Sequence, residues 1–312
     1  MENVRLSGVV LSIGNFDGVH RGHQAIIGTA RRRAQAAGTQ AVAMTFDPHP
    51  ATVLAPDRVP PTLTPLDEKI RCLEAAGAEV VVVVPSQPKF FSCPAHVFIE
   101  RVMVSRFHPI AIVEGESFRF GRHRQGDATT LREAGTKYGF ETDIVAPIRV
   151  DLGGHPDTVI SSSLVRQMIG SGTVDRAAVC LGRPYALLGR VEHGAARGRA
   201  LGFATANLAV PPDQLVPAEG VYAGQTTIDG KRCGAAISIG HTPTFDGQQR
   251  LVEAHVLDYA GDLYDASLRL EFFAWLRPQQ KFASATELQQ QVAADIRHVR
   301  ECQQHGQGLL SD

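Results

Sequence analysis

The hydrophobic period of this chain changes once, near residue 186, and no other feature restricts its fold as strongly. Before that point, short apolar runs alternate with helical patterns: VVLSIG (9–14), AVAMTF (41–46), VVVVV (80–84), IAIVEG (110–115) and TDIVAP (142–147). Such alternation builds a parallel sheet covered by helices, and five successive valines suit a strand buried on both faces. Between the runs, QAIIGTARRRAQAAG reads as a helix stopped at Gly38, with Arg31, Arg32 and Arg33 on a solvated face. PLDEKIRCLEAAG and PAHVFIERVMVSRF each open on Pro, whose missing N–H costs least at a helix start. Beyond residue 186 the period becomes two, in ALLGRVEHG, FATANLAV, VYAGQTTI, GAAISIG, LVEAHVLDY and SLRLEFFAWL. Six such strands predict a small antiparallel barrel, and SATELQQQVAADIRHVREC predicts a helix after it. The expected fold is an α/β domain over 1–183 and an all-β barrel domain with a C-terminal helix over 184–312, meeting near Pro184.

A length of 312 residues allows each half its own core. Apolar residues make up 44% and charged residues 20%, which excludes extended disorder and collagen-like or coiled-coil structure. The 31 Lys plus Arg nearly balance 32 Asp plus Glu, so no overall field attracts nucleic acid or anionic lipid, and a polyanion must be held locally. Five scattered Cys without a C-x-x-C argue against a disulfide framework and a zinc site, and fit a reducing cytoplasm. The first residues lack a signal-peptide pattern, and no window reaches the roughly 18 apolar residues of a membrane span. The expectation is a cytoplasmic monomer or weak homo-oligomer without nucleic-acid or membrane partners.

Chemistry concentrates first where VVLSIG runs into GNFDGVHRGHQAII. Gly14, Asp17, Gly18, His20, Gly22 and His23 fall at a strand-to-helix turn on the C-terminal edge of the sheet, where open α/β folds bind ligands. Glycines let a phosphate approach the backbone, and the helix start offers free N–H groups and a positive dipole end. Two imidazoles three residues apart can donate to phosphate oxygens as charge builds up during nucleotidyl transfer. No Cys or third ligand stands at metal spacing, which argues against zinc here. The segment resembles the nucleotidyltransferase superfamily with an H-x-G-H signature, which implies a Rossmann-like fold. More narrowly it resembles the bacterial bifunctional riboflavin kinase/FMN adenylyltransferase (FAD synthetase) family, whose N-terminal motifs recur in order as SIGNFDGVHRGHQ, FDPHP (46–50), ESFRFGRHRQGD (116–127) and ISSSLVR (160–166). The resemblance implies that Gly14, Asn15, Phe16, Asp17, His20, Gly22, His23, Ser162 and Arg166 bind ATP, with His20 and His23 catalytic. It implies that Phe46, Pro48, Phe118 and Phe120 hold the flavin.

A second constellation is GRVEHGAARGRALGFATANL (189–208), a Gly- and Arg-rich loop coupled to a strand with Thr205 and Asn207 on one face. Such a loop can wrap phosphates while the Thr and Asn oxygens meet a hard cation. In LVEAHVLDY, Val252, Ala254 and Val256 share one face, and Glu253 and His255 point the other way. The string is similar to the riboflavin kinase signature GRxLGFPTANL, followed by PAEGVYAG, IGHTPTF, VEAHVLDYAGDLY and LRPQQKF. That likeness implies that Gly198, Arg199, Gly202, Thr205, Asn207 and Arg277 bind ATP, Mg²⁺ and flavin, with Thr205 and Asn207 on the metal. It also implies that Glu253 takes the proton from the ribityl 5′-hydroxyl, a role that suits phosphoryl transfer. Together the likenesses imply an enzyme that converts riboflavin to FMN and FMN to FAD, with ATP as co-substrate and Mg²⁺ as cofactor.

The chain departs from the family pattern at Ser117 (usually Asp), at Ser163 and Leu164 (usually Thr-Arg), at Ala204 (usually Pro), and at Ser238, Thr242 and Asp265. Ser117 motivates one rival, a kinase with a decayed adenylyltransferase domain. A flavin-binding regulator without turnover is a second, opposed by the intact His20, His23, Thr205, Asn207 and Glu253. Class I aminoacyl-tRNA synthetases share the H-x-G-H turn, but the KMSKS-like lysines and basic anticodon domain are missing here.

Overall fold

The computed structural model describes residues 6–193, 205–244 and 247–306. The chain divides into two compact units, Met1–Ser162 and Ser163–Asp312. The first unit holds a parallel sheet of strands β1 (Val10–Ile13), β2 (Ala41–Asp47), β3 (Val80–Pro85), β4 (Ala111–Gly115) and β5 (Glu141–Val145), in the order β3-β2-β1-β4-β5. Its main helices are α1 (Arg21–Ala37), α2 (Leu66–Ala76), α3 (95–107) and α4 (Ala128–Tyr138), and after β5 two short strands, β6 (Arg149–Val150) and β7 (Thr158–Val159), pair antiparallel. On one face Val10, Ala41, Ala111 and Val113 pack with Ala30 and Ala34 of α1, small residues that let the helix lie close. On the other, Leu11, Ile13, Met44 and Ile112 meet Phe98, Met103 and Phe107 of α3. Helix α1 ends where Gly38, at φ 65°, donates its N–H to the Ala34 and Gln35 carbonyls, a left-handed cap that only Gly adopts freely.

The valine run is not the doubly buried strand its composition suggests. Strand β3 lies at the sheet edge, where only Val82 and Val84 are buried and Val80, Val81 and Val83 are partly open. Full burial belongs to the central β1, all four of whose residues are covered. Position in the strand order, a non-local property, sets burial here rather than apolar content.

The second unit opens with most of α5 (Ser162–Gly170), then α6 (Val174–Leu181). Strands β8 (Tyr185–Glu192), β9 (Ala206–Ala209), β10 (Gly220–Ile228), β11 (Lys231–Thr244), β12 (Gly247–Val256) and β13 (Ser267–Arg277) close as a barrel in the order β10-β11-β12-β9-β8-β13. Closure removes the sheet edges that would otherwise template aggregation. The β10–β13 register slips at Ala223/Gly224, and a Cβ on Gly224 would meet the Glu271 carbonyl oxygen at 2.1 Å. Glycine therefore permits the irregularity that bends this strand pair. Tyr222 and Phe272 fill the core edge-to-face at 5.4 Å. Helix α6 buries Val174, Ala177, Cys180 and Leu181 and packs against β13 and β8. The C-terminal α7 (Ala285–Gly306) packs on β10, β11 and β13, with Val299 fully buried beside Ala223 and Leu257.

Candidate active sites

In the first unit the chain leaves β1 through a tightly specified turn. Phe16, Gly18 and Val19 hold positive φ values of 50°, 85° and 39°. Non-Gly residues in that region mark strain held by their surroundings, which is common at ligand sites. Gly14 donates its N–H to Met44 O, and a Cβ on Gly14 would strike the Phe16 ring at 2.8 Å. His20 then caps α1, its Nδ1 accepting the His23 N–H at 3.3 Å. An accepting Nδ1 places the neutral ring's proton on Nε2. The two imidazoles stack with centroids 3.6 Å apart, and the Phe16 edge meets His23 at 5.3 Å. Gly22 makes the stack possible, because a Cβ there would stand 3.1 Å from both Cε1 and Nδ1 of His20.

Burial first, and the His20 ring second, hold the His23 pKa well below the ordinary 6.5, so His23 is neutral in the free protein. A polyanion beside it acts in the opposite sense and favours the imidazolium. Asn15 Oδ1 and His23 Nδ1 are buried without a hydrogen-bond partner. Two orphaned polar atoms beside the start of a 17-residue helix with no acid in its first turn suit an anionic ligand that supplies their partners.

Two further expected residues, Asp17 and Ser162, brace this turn. The buried Asp17 carboxylate accepts the N–H groups of Leu63 and Thr64 at 3.1 Å, which ties the turn to the chain before α2. Ser162 Oγ donates to Asp17 O at 2.8 Å, and Arg166 lies on α5 in the second unit. Phe46, Phe118 and Phe120 belong to one aromatic group: Phe46 meets Phe90 at 5.6 Å and Phe91 at 5.5 Å, while Phe118 stacks on Phe120 at 5.4 Å. Pro48 follows a cis Asp47–Pro48 peptide, and its carbonyl accepts Ser86 Oγ.

In the second unit, strand pairing brings distant motifs together. Asn207 on β9 stands directly opposite Glu253 on β12 and Glu192 on β8, and Glu253 stands opposite Ser238 on β11. Opposed residues share a face, with Cβ atoms roughly 5 Å apart, so these four polar side chains form one row across the barrel wall. Val252, Ala254 and Val256 turn inward as expected, at 2%, 1% and 6% exposure. A cleft of about 280 Å³ is lined by Thr205, Ala206, Ala254, Val256, Tyr259, Asp262 and Tyr264. Thr205, two residues before Asn207, thus links the cleft to the row. The Arg277 guanidinium forms a two-pronged pair with the buried Asp295 of α7, at 3.0 Å from Nε and 2.7 Å from Nη2. Gly198, Arg199, Gly202 and the Ala204 departure lie outside the described residues.

Comparison with known proteins decides the family. A FAD synthetase family model matches residues 3–163, and a riboflavin kinase model matches residues 181–303. The bifunctional riboflavin kinase/FMN adenylyltransferase of Escherichia coli K12 is 37% identical over 94% of this chain and 92% of its own length. The Bacillus subtilis enzyme of that name is 35% identical, covering 92% of this chain and 90% of its own. The chain belongs to the bifunctional riboflavin kinase/FMN adenylyltransferase family. A crystal structure from Streptococcus pneumoniae, described as a macrolide-efflux protein, matches with TM-score 0.86 and 30% identity, covering 96% of both chains. Among the described residues no helix is long and apolar enough to cross a membrane.

The FAD synthetase half also contains site-framing residues that motif reading passed over. Phe90 and Phe91 extend the aromatic group around Phe46 and contact each other at 5.4 Å; the PKFF string carries them. Lys69, 5% exposed, donates Nζ to Phe46 O at 2.9 Å. Burial lowers its pKa, while Asp17 and Asp47 oppose that shift, so one cation bridges the turn and the FDPHP segment. Glu114 interrupts the apolar run of β4 and is 2% exposed; its Oε1 accepts the Ile13 N–H at 2.6 Å. The visible signal for Glu114 is an acid inside IAIVEG.

Proposed function

We propose that the barrel transfers the γ-phosphoryl group of ATP to riboflavin, and that the α/β unit transfers AMP from a second ATP to FMN, releasing pyrophosphate. The observation that carries this reading is the presence, in one chain, of both a stacked His20–His23 pair capping α1 and an Asn207–Glu253 pair opposed across β9 and β12. In the α/β unit, FMN phosphate attacks the α-phosphorus of ATP. Gly14, Asn15, Phe16 and Gly22 line the turn, while His20 and His23 donate to the oxygens that gain charge. Asp17 and Ser162 act through the backbone, holding the turn in shape. Arg166 is assigned to ATP phosphate, and Phe46, Pro48, Phe118 and Phe120 to the flavin. The neutral His23 of the free protein suits this role, since its charge would develop with the polyphosphate rather than cost folding energy beforehand.

In the barrel, Glu253 takes the proton of the ribityl 5′-hydroxyl as the phosphorus–oxygen bond forms. The donor set fits Mg²⁺: the oxygens of Thr205 and Asn207 are hard ligands, and nucleotide phosphates and water complete such a sphere. When bound, the ion neutralises phosphate charge. Gly198, Arg199 and Gly202 are assigned to phosphate, and Arg277 supports the site from its pair with Asp295. The functional division is kept at 183/184, because every kinase motif follows it. Purified protein with riboflavin, ATP and MgCl₂, followed by chromatography, should yield FMN first and FAD later. FMN accumulating without FAD would favour the kinase-only rival, and no turnover would sink the whole reading.

A further inference from the structure

Strand order makes the gap between β1 and β4 the switch point of the first sheet, because the chain proceeds from β1 toward β2 on one side and has β4 and β5 on the other. Ligands of open α/β sheets bind in that crevice, beyond the C-terminal strand ends. The pairing of β1 is unequal on its two edges. It pairs with β2 along its whole length, from Val10 to Ile13, but with β4 only at Val10 and Leu11. Val10 and Gly14 donate their N–H groups toward the β2 side, to Gln40 O and Met44 O. Alternation therefore turns the Ile13 N–H toward β4, where the ladder has already ended. Glu114 supplies the missing acceptor through its side chain at 2.6 Å.

This contact joins two parts of the site. Ile13 is the residue before Gly14, where the H-x-G-H turn begins. Glu114 precedes the segment that carries Phe118 and Phe120, and Ile112, on its face of β4, packs in the cluster with Phe46, Phe98 and Phe120. Burial outweighs the single N–H bond and pushes the Glu114 carboxyl well above the ordinary 4.5, which favours the neutral acid in the free protein. In that form it can accept on one oxygen without placing a negative charge in a crevice meant for polyphosphate.

We propose that Glu114 is a positioning residue for adenylyl transfer, tying β1 to β4 beyond the end of their ladder by fixing the Ile13 N–H, so that the nucleotide turn and the flavin phenylalanines keep one relative placement. The proposal rests on the adenylyltransferase reading above. Its test compares Glu114→Gln, which keeps an uncharged acceptor at the same reach, with Glu114→Leu, which removes it. FAD formation from FMN and ATP is measured as kcat and as KM for each substrate; a thermal melt followed by circular dichroism serves as the folding control for the first unit, and riboflavin phosphorylation in the same preparation shows that the second unit is intact. E114Q should stay within about twofold of the parent, whereas E114L should lose about tenfold or more in kcat, since sub-ångström misplacement of reacting groups is costly in rate. Kinase activity should be unchanged in both. Should E114L fail to fold, Glu114→Asp serves instead: its carboxyl is one carbon short of Ile13, and it should show the same kcat loss. Parental FAD formation by E114L or E114D would overturn the proposal, and so would an E114Q loss as deep as that of E114L, which would mean that an ionised carboxylate is needed. A parent protein that makes no FAD would instead refute the underlying reading of the site.

Discussion

Replacing Gly22 by Ala should separate stability from adenylyl transfer, because the same methyl group acts in opposite directions on the two. Gly22 is the second residue of α1, and Ala in a helix is favoured over Gly by roughly 0.5–1 kcal/mol. Backbone strain is not at issue, since Gly22 is helical and has no positive φ. The new Cβ, however, would stand 3.1 Å from Cε1 and Nδ1 of His20, so the ring must give by a few tenths of an ångström. His20 has little slack: it is 6% exposed, stacked at 3.6 Å on His23, and bound to the His23 N–H at an already long 3.3 Å. Displacement weakens that bond, and with it the constraint that keeps the His20 proton on Nε2. A 1 Å misplacement can cost about a hundredfold in rate, so a shift of this size is expected to cost about tenfold in kcat for FAD formation. The melting temperature should be unchanged or raised by up to about 3 °C, and riboflavin phosphorylation should be parental. The assay is FAD release from FMN and ATP beside calorimetry of the same sample. FAD formation at the parental rate would refute the argument that Gly22 is required by the imidazole stack, and equal loss of both activities would show that the damage is global.

Glu253→Gln should reduce riboflavin phosphorylation by about 10²–10⁴-fold, the usual worth of a general base, while FMN-to-FAD conversion continues; equal loss of both in a chromatographic assay would contradict two separate centres. A fragment spanning 163–312 should unfold cooperatively and keep kinase activity, and 184–312 should do the same at a lower melting temperature. The shorter fragment lacks the α6 side chains Val174, Ala177, Cys180 and Leu181, all at most 1% exposed, and larger apolar side chains of this kind are worth about 1.5–3 kcal/mol each against a typical total of about 5–15. Circular dichroism of the two fragments decides it. His23 links folding to acid: with its folded pKa depressed below 6.5, the unfolded chain takes up the proton first, so stability falls as pH drops below about 6.5 and continues to fall until the folded ring also titrates. His23→Gln should flatten that part of the Tm–pH curve, and an unchanged slope would count against a neutral, enclosed ring.

The parts of this protein legible from sequence are those whose cause is local. Gly38 ends α1 because a left-handed cap needs a residue without a Cβ, and the six strands of the barrel follow from a period of two that any stretch displays by itself. His20, Gly22 and His23 were readable for the same reason: capping, room for the ring and stacking all occur within four residues. The opposition of Asn207 and Glu253 was not readable from spacing, since it depends on β9 pairing with β12 at a sequence separation of 46, over intervening strand and loop; the polar face of each strand was visible, but not their register.

Motifs also conceal how a side chain does its work. Asp17 stands inside the nucleotide turn, yet its carboxylate is held by Leu63 and Thr64, residues whose N–H groups become available only because the chain before α2 passes over the turn. Arg277 ends β13 just before Pro278, yet its partner Asp295 is brought to it by the packing of α7. The valines of β3 and the glutamate of β4 show the rule from both sides. The valines look central and lie at an edge; Glu114 looks misplaced in an apolar strand and answers an N–H that goes unmatched only where β1 and β4 part. In each case the deciding quantity is which backbone group lacks a partner once the sheet has assembled, and that depends on strand order rather than on residue type.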